Sequence, residues 1–193
     1  MKRNLFSLVA VLSLAGAALA DHAPDHKVLV LKNKDGAAIL GYDAVAYFTD
    51  YKPAKGNPKF QSEFEGAKYY FASAEHRALF DANPTKYAPA YGGYCGYAAS
   101  IGKVRPANPL LWSVVDGQLI IQHTKGAVEL WGKDVSGNKA KADKNWPFAR
   151  REKGRANESR GQPLGKVSFG PDELRIKQGS HNIPNIPRQH PLI

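Results

Sequence analysis

The sequence predicts a small α+β domain in which two β-hairpins are combined with three or four short helices, with a disordered C-terminal tail. The hairpins are predicted by β-prone runs on either side of Glu65-Gly66 and Asp116-Gly117, because such dipeptides favour tight turns. Helices are predicted after Ser73 and Thr124, whose hydroxyl groups can cap the segments that follow them. A change of composition after residue 149 predicts the tail.

The first twenty residues predict a secretory signal peptide. Lys2 and Arg3 precede an apolar stretch that begins at about Leu5, and Ala18-Leu19-Ala20 matches the small residues before a cleavage point. The apolar stretch is short for a membrane span. We therefore expect cleavage near Ala20 and a periplasmic or secreted protein that is not membrane-spanning. An N-terminal segment (21–35) then precedes a globular domain (36–149).

The first half of the domain is predicted from local patterns. Residues 28–31 are predicted as a strand and 45–48 as a short β-prone run, ahead of the hairpin formed by 60–64 and 68–71. Ser73 caps a predicted helix over 74–82, in which His76 shares a side with Leu79 and Phe80. Asn83 and Pro84 then begin a short helical turn.

The second half contains the strongest hairpin signal, "LLWSVVDGQLIIQHT", followed by a helix that Thr124 caps. A final helix is expected to end at Trp146-Pro147, because the residue before a proline disfavours helical backbone. No internal repeat is evident. The tail (150–193) holds nine basic and four acidic residues, against sixteen and thirteen in residues 21–149. It is expected either to stay solvated or to dock on a protein or another anionic partner; nucleic acid is not expected for an exported protein.

Several motifs in the same order resemble the exported bacterial YHS-domain proteins. They are "GYDAVAYF" (41–48), "FEGAKYYFASAEHRALFDANPTKY" (64–87), "YGGYCGYA" (91–98), "VVDGQLII" (114–121) and "KADKNW" (141–146). The resemblance covers roughly residues 36–148 and implies a link to heavy metals. Metal-binding members of the wider family carry cysteines at three positions that are Ala46, Ala72 and His76 here, so only His76 could still ligate. In the exported branch the resemblance points to Cys95 as the thiol.

Cys95 is the only cysteine of the chain, which excludes an internal disulfide and a Cys-x-x-Cys redox motif. Gly92, Gly93 and Gly96 flank it and allow backbone N–H groups to approach an anionic sulfur. The favoured hypothesis is a non-catalytic module that binds copper or zinc through Cys95, helped by His76 or His123. Two alternatives stay open: thiol redox chemistry at Cys95, and an interaction module in which Cys95 is an inert core residue.

Composition and motifs exclude several other functions. The only methionine is Met1, which leaves with the predicted signal, so a copper carrier based on methionine thioethers is excluded. There is no phosphate-binding loop, no Gly-x-Ser-x-Gly elbow and no His-Glu-x-x-His motif. An enzymatic activity is therefore not favoured.

Overall fold

The computed structural model describes residues 28–160 and confirms a mixed α+β fold. The predicted signal peptide and most of the predicted tail lie outside the described residues. Both predicted hairpins are present, as β1 (Asn57–Phe64) with β2 (Ala67–Phe71) and β3 (Asn108–Val115) with β4 (Gln118–Gln122). Each turns through two successive residues of positive φ, which an acidic residue followed by glycine adopts readily.

Six α-helices surround the hairpins, and two short 3-10 turns lie at Ile39–Gly41 and Ala90–Gly93. The helices are α1 (Ala46–Thr49), α2 (Ala74–Ala82), α3 (Pro84–Tyr87), α4 (Gly96–Ser100), α5 (Lys125–Gly132) and α6 (Val135–Ser159). The predicted caps of α2 and α5 are confirmed, since Ser73 Oγ and Thr124 Oγ1 each accept a backbone N–H at 3.2 Å. Within residues 28–160, no helix is long and apolar enough to cross a membrane.

Three local predictions are wrong. Residues 28–31 form no strand; they pass through the core as single extended chain, held by bonds such as Leu31 N–H to the Gly92 carbonyl (2.8 Å). Residues 45–48 lie at the start of α1 rather than in a strand, because the Asp43 carboxylate accepts the first free N–H groups of that helix. The last helix continues through Pro147 to Ser159 and packs against α4, so residues 150–159, which were predicted to begin the disordered tail, are helical.

The chain contains a structural repeat that its sequence hides. Residues 39–82 (unit one) and 90–132 (unit two) each consist of a 3-10 turn, a short helix, a hairpin and a capped helix. The strands of unit two begin and end 51 residues after those of unit one, and each hairpin has a register shift at the same place. Asn57-Pro58 and Asn108-Pro109 are among the few identical pairs.

The two units contribute to one large core cluster, and a smaller second cluster joins unit two to α6. Phe80 of α2 and Trp131 of α5 occupy equivalent positions and are both 1 % exposed. Each packs on its own hairpin, Phe80 against Tyr69 and Phe71, and Trp131 against Ile120. Helix α6 follows unit two and packs against α4. The repeat therefore contains two equivalent positions where the chain turns into a short helix, at Asp43 before α1 and at Cys95 before α4. We call each of these positions the corner of its unit.

Candidate functional site

The corner of unit one is built around Asp43, whose side chain is fully buried. Its Oδ1 accepts the N–H groups of Val45 (2.8 Å) and Ala46 (3.3 Å), and its Oδ2 accepts that of Ala72 (2.7 Å) just beyond β2. These bonds join the start of α1 to the end of the first hairpin. A buried carboxylate is tolerated in such a place because hydrogen bonds replace the water that it loses.

The same carboxylate orients His76. The His76 Nδ1 atom lies 2.7 Å from Asp43 Oδ2, and because a carboxylate only accepts, Nδ1 carries the proton. The other ring nitrogen, Nε2, faces outward, 3.2 Å from Thr49 Oγ1 and 3.5 Å from Asp50 Oδ1. The His76 side chain is 15 % exposed and that of Asp50 is 33 % exposed. The ring is therefore fixed from the inside, while its outer nitrogen is close to solvent and beside a second carboxylate.

The positions that the YHS resemblance assigned to cysteines meet at this corner. Ala46 and Ala72 both donate a backbone N–H to Asp43, and His76 donates from its ring. They share one buried partner although 26 to 30 residues separate Ala46 from the other two positions. With alanine at two of the three positions, this corner cannot offer the several soft ligands that Cu(I) prefers.

The corner of unit two is built around Cys95, which is 2 % exposed. Its thiol donates to Gln122 Oε1 (3.2 Å), and its sulfur accepts the Ala98 N–H at 3.5 Å. Burial raises the pKa of the Cys95 thiol, and the nearby backbone N–H groups of Ala98, His123 and Tyr97 offset this only in part. A buried, neutral thiol is a weak nucleophile and a weak metal ligand.

Cys95 and Asp43 are structural counterparts. The Asp43 N–H donates to the Ala54 carbonyl (2.9 Å), and the Cys95 N–H donates to the Arg105 carbonyl (3.0 Å), 51 residues after Ala54. Both side chains receive N–H groups from residues two and three positions later and from the residue just after their own hairpin. That last residue is Ala72 in unit one and His123 in unit two.

The counterpart relation concerns what the side chain of the only cysteine of the sequence does in the fold. Its sulfur accepts N–H groups where unit one uses a carboxylate. The equivalent of His76 in unit two is Ala127, which is buried and offers no ring nitrogen. The geometry thus places Cys95 at a hydrogen-bonded position equivalent to that of Asp43, and the oriented histidine occurs in unit one.

The three predicted ligands are not brought to one point. The His76 ring contacts Asp43, Thr49 and Asp50, and neither its ring nor that of His123 makes a hydrogen bond to the Cys95 sulfur. His123 is half-buried and approaches the sulfur through its backbone N–H. Across residues 28–160, no group of three or more His, Cys, Asp and Glu side chains could hold a metal ion.

The sequence did not identify Thr49 and Asp50 as site residues, and it did not pair Asp43 with His76. Asp43, beside Gly41 and Tyr42, is favoured by the sequence as a turn residue first and a site residue second, and 33 positions separate it from His76. The signal that could have found it is the family resemblance, because cysteines that share a metal must lie close together in space. Asp43 precedes the first of those positions by three residues.

The chain matches no family model, no curated protein and no solved structure. The resemblance to exported YHS-domain proteins therefore stays a prediction that rests on the motifs themselves.

Proposed function

We propose that this chain is a non-catalytic, exported binding module that takes a divalent ion, Zn(II) or Cu(II), at the corner of unit one. His76 Nε2 and the Asp50 carboxylate would hold the ion. The observation that carries the proposal is the 2.7 Å hydrogen bond from His76 Nδ1 to the buried Asp43. Metal-binding histidines characteristically donate their second ring nitrogen to a carboxylate, which fixes the tautomer that leaves Nε2 free to ligate.

The distances at the outer nitrogen fit an ion of this kind. Two ligand bonds of about 2 Å at a tetrahedral angle place the ligand atoms about 3.3 Å apart. His76 Nε2 and Asp50 Oδ1 are 3.5 Å apart. Imidazole and carboxylate are ligands that Zn(II) and Cu(II) both accept, and the remaining positions would be filled by water. Two protein ligands without a third predict weak binding, in the micromolar range or above.

Cys95 is the ligand favoured by the sequence alone, and its geometry gives that hypothesis less support. The sulfur is buried, its thiol is engaged with Gln122, and burial raises its pKa. The redox alternative depends on the same sulfur and has the same weakness, because a disulfide or a sulfenate needs an accessible thiolate.

The test is a competition titration of the signal-free protein with Zn(II) and Cu(II) against a chromophoric chelator, under anaerobic conditions. We expect one-to-one binding that weakens at least tenfold in His76→Ala and more modestly in Asp50→Asn. Binding should also weaken as the pH falls, because the ion competes with a proton at Nε2.

Two variants serve as controls, His123→Ala and Cys95→Ser, and neither should change the affinity. If Cys95→Ser abolishes binding while His76→Ala retains it, the ion is at Cys95 and the site proposed here is wrong. If the wild-type protein binds neither ion, the metal proposal fails altogether. Asp50→Asn leaves the buried Asp43–His76 bond intact, so it separates loss of a ligand from a disturbed fold.

A further inference from the structure

The outer face of α6 presents a row of exposed cations with one aromatic side chain among them, and Pro147 lies inside this part of the helix. Lys141, Lys144, Phe148, Arg151 and Arg155 recur at intervals of three and four residues, so they project from one side of the helix. All five are exposed, and Phe148 is 65 % exposed. We call these five residues the α6 stripe. From its first to its last residue it is about 21 Å long.

Packing of the domain does not account for the stripe. The opposite side of α6 carries the buried positions Asn138, Ala142 and Ala149 and packs against α4. The helix also lies outside the two repeated units, so the stripe has no counterpart in unit one. Phe148 is the apolar member of the stripe, and it lies exposed between cations rather than packed against the domain.

The stripe's cations are not neutralised by the protein. None of the four makes an ion pair with a residue in the described part of the chain. The ion pair of α6 lies beside the stripe, between Lys139 and Asp143 (2.9 Å). Glu152 lies at the edge of the stripe as its nearest acidic residue. The net charge of the stripe therefore stays strongly positive.

We propose that the α6 stripe docks on an anionic lipid surface. A row of cations on the exposed side of a helix can face a plane of negative charge without a shaped partner, whereas a folded acidic protein would need a matching row of its own. Lysine and arginine near a membrane gain from the negative surface potential of anionic headgroups. A single phenylalanine between them reaches into the boundary between headgroups and acyl chains without requiring the helix to insert. The contact is peripheral and does not depend on the proposed metal site.

The proposal predicts binding to vesicles that contain anionic lipid. The signal-free protein should co-sediment with vesicles of phosphatidylcholine and phosphatidylglycerol in equal parts, and not with phosphatidylcholine alone. The double variant Lys144→Glu/Arg151→Glu should lower the partition coefficient about tenfold or more. Phe148→Ala should lower it about threefold at unchanged charge. Added salt should weaken binding, since exposed charges are screened.

The control variant carries the same change of net charge elsewhere. Lys34→Glu/Lys125→Glu reverses two exposed lysines that lie outside α6, and it should leave binding within about twofold. Equal losses in the two double variants would overturn the proposal, because binding would then follow net charge alone. The proposal would also be overturned if the protein did not bind anionic vesicles. If the protein were then retained on polyglutamate, and the Lys144→Glu/Arg151→Glu variant were not, the surface would be assigned to an acidic protein. Circular dichroism of each variant excludes an effect of unfolding.

Discussion

At the scale of single residues, Asp43 performs two tasks with one carboxylate. It accepts three backbone N–H groups, from Val45, Ala46 and Ala72, and the ring N–H of His76. Its role as a turn residue follows from the sequence around it, because aspartate often bonds the backbone two or three residues later. Its pairing with His76 does not, because that contact depends on how the hairpin and α2 fold back onto α1.

Replacing Asp43 with alanine should destabilise the protein strongly. The change leaves three backbone N–H groups, those of Val45 and Ala46 buried and that of Ala72 part-buried, and the ring N–H of His76 without their acceptor, and the expected loss in free energy of unfolding is about 3–5 kcal/mol. Urea denaturation followed by circular dichroism measures it. The matched control is Asp81→Ala, which removes an exposed partner of Arg77 and should cost about 0.5 kcal/mol or less. Similar losses in the two variants would show that the buried hydrogen bonds at Asp43 contribute little.

At the scale of elements, signals from neighbouring residues predicted the hairpins and the helix caps correctly. The path of other segments depends on contacts between residues that are distant in the sequence. The two hairpins and the caps at Ser73 and Thr124 depend on neighbouring residues alone, and they were predicted correctly. The path of residues 28–31 depends on contacts with distant segments, such as the bond to Gly92. The passage of α6 through Pro147 depends on packing against α4, which no local pattern contains.

Gly96 tests how tightly the elements around Cys95 are packed. A Cβ atom at Gly96 would lie 2.5 Å from Ile120 Cγ2, 3.2 Å from Gln122 Nε2 and 3.4 Å from the Trp131 ring. Gly96→Ala should therefore lower the free energy of unfolding by about 1–3 kcal/mol, because α4 must move away from β4 and α5. The control is Gly126→Ala in α5, where the nearest atom would be 3.9 Å away.

Thermal unfolding of the two glycine variants should shift in opposite directions. Alanine at position 126 should stabilise by about 0.5–1 kcal/mol, since alanine is the better helix former. A Gly96→Ala protein as stable as the wild type would show that α4, β4 and α5 pack less tightly around Gly96 than these distances imply.

At the scale of the whole molecule, the structural repeat relates Cys95, which the sequence favoured as a site residue, to Asp43, whose contact with His76 the sequence did not predict. Units one and two share few identical residues, yet their strands, caps and corner hydrogen bonds correspond. The sequence alone could not show this, because the corner positions hold different chemical groups, Asp43 and Cys95. Only their shared hydrogen bonding shows that Cys95 occupies in unit two the position that Asp43 occupies in unit one.

Buried tyrosines in the two core clusters also make stability depend on alkaline pH. Burial raises the pKa of Tyr94 to about 12, and it raises those of Tyr47, Tyr69 and Tyr91 above the ordinary range for tyrosine as well. In the unfolded chain these groups ionise near pH 10. Above about that pH the unfolded state binds fewer protons than the folded state, so stability falls as the pH rises. Near neutral pH the tyrosines are protonated in both states and contribute no slope.

We therefore expect the urea midpoint to fall steeply between about pH 9 and about pH 11. At the upper limit, the free energy of unfolding should be lower by about 1 kcal/mol for each of Tyr47, Tyr69 and Tyr94. Tyrosinate absorbance should rise together with unfolding. Tyr94→Phe should keep the ring contact with Trp146 and remove one tyrosine's share of the slope. If these tyrosines ionised near pH 10 while the fold stayed intact, the buried core that joins the two units would be more open to solvent than its packing implies.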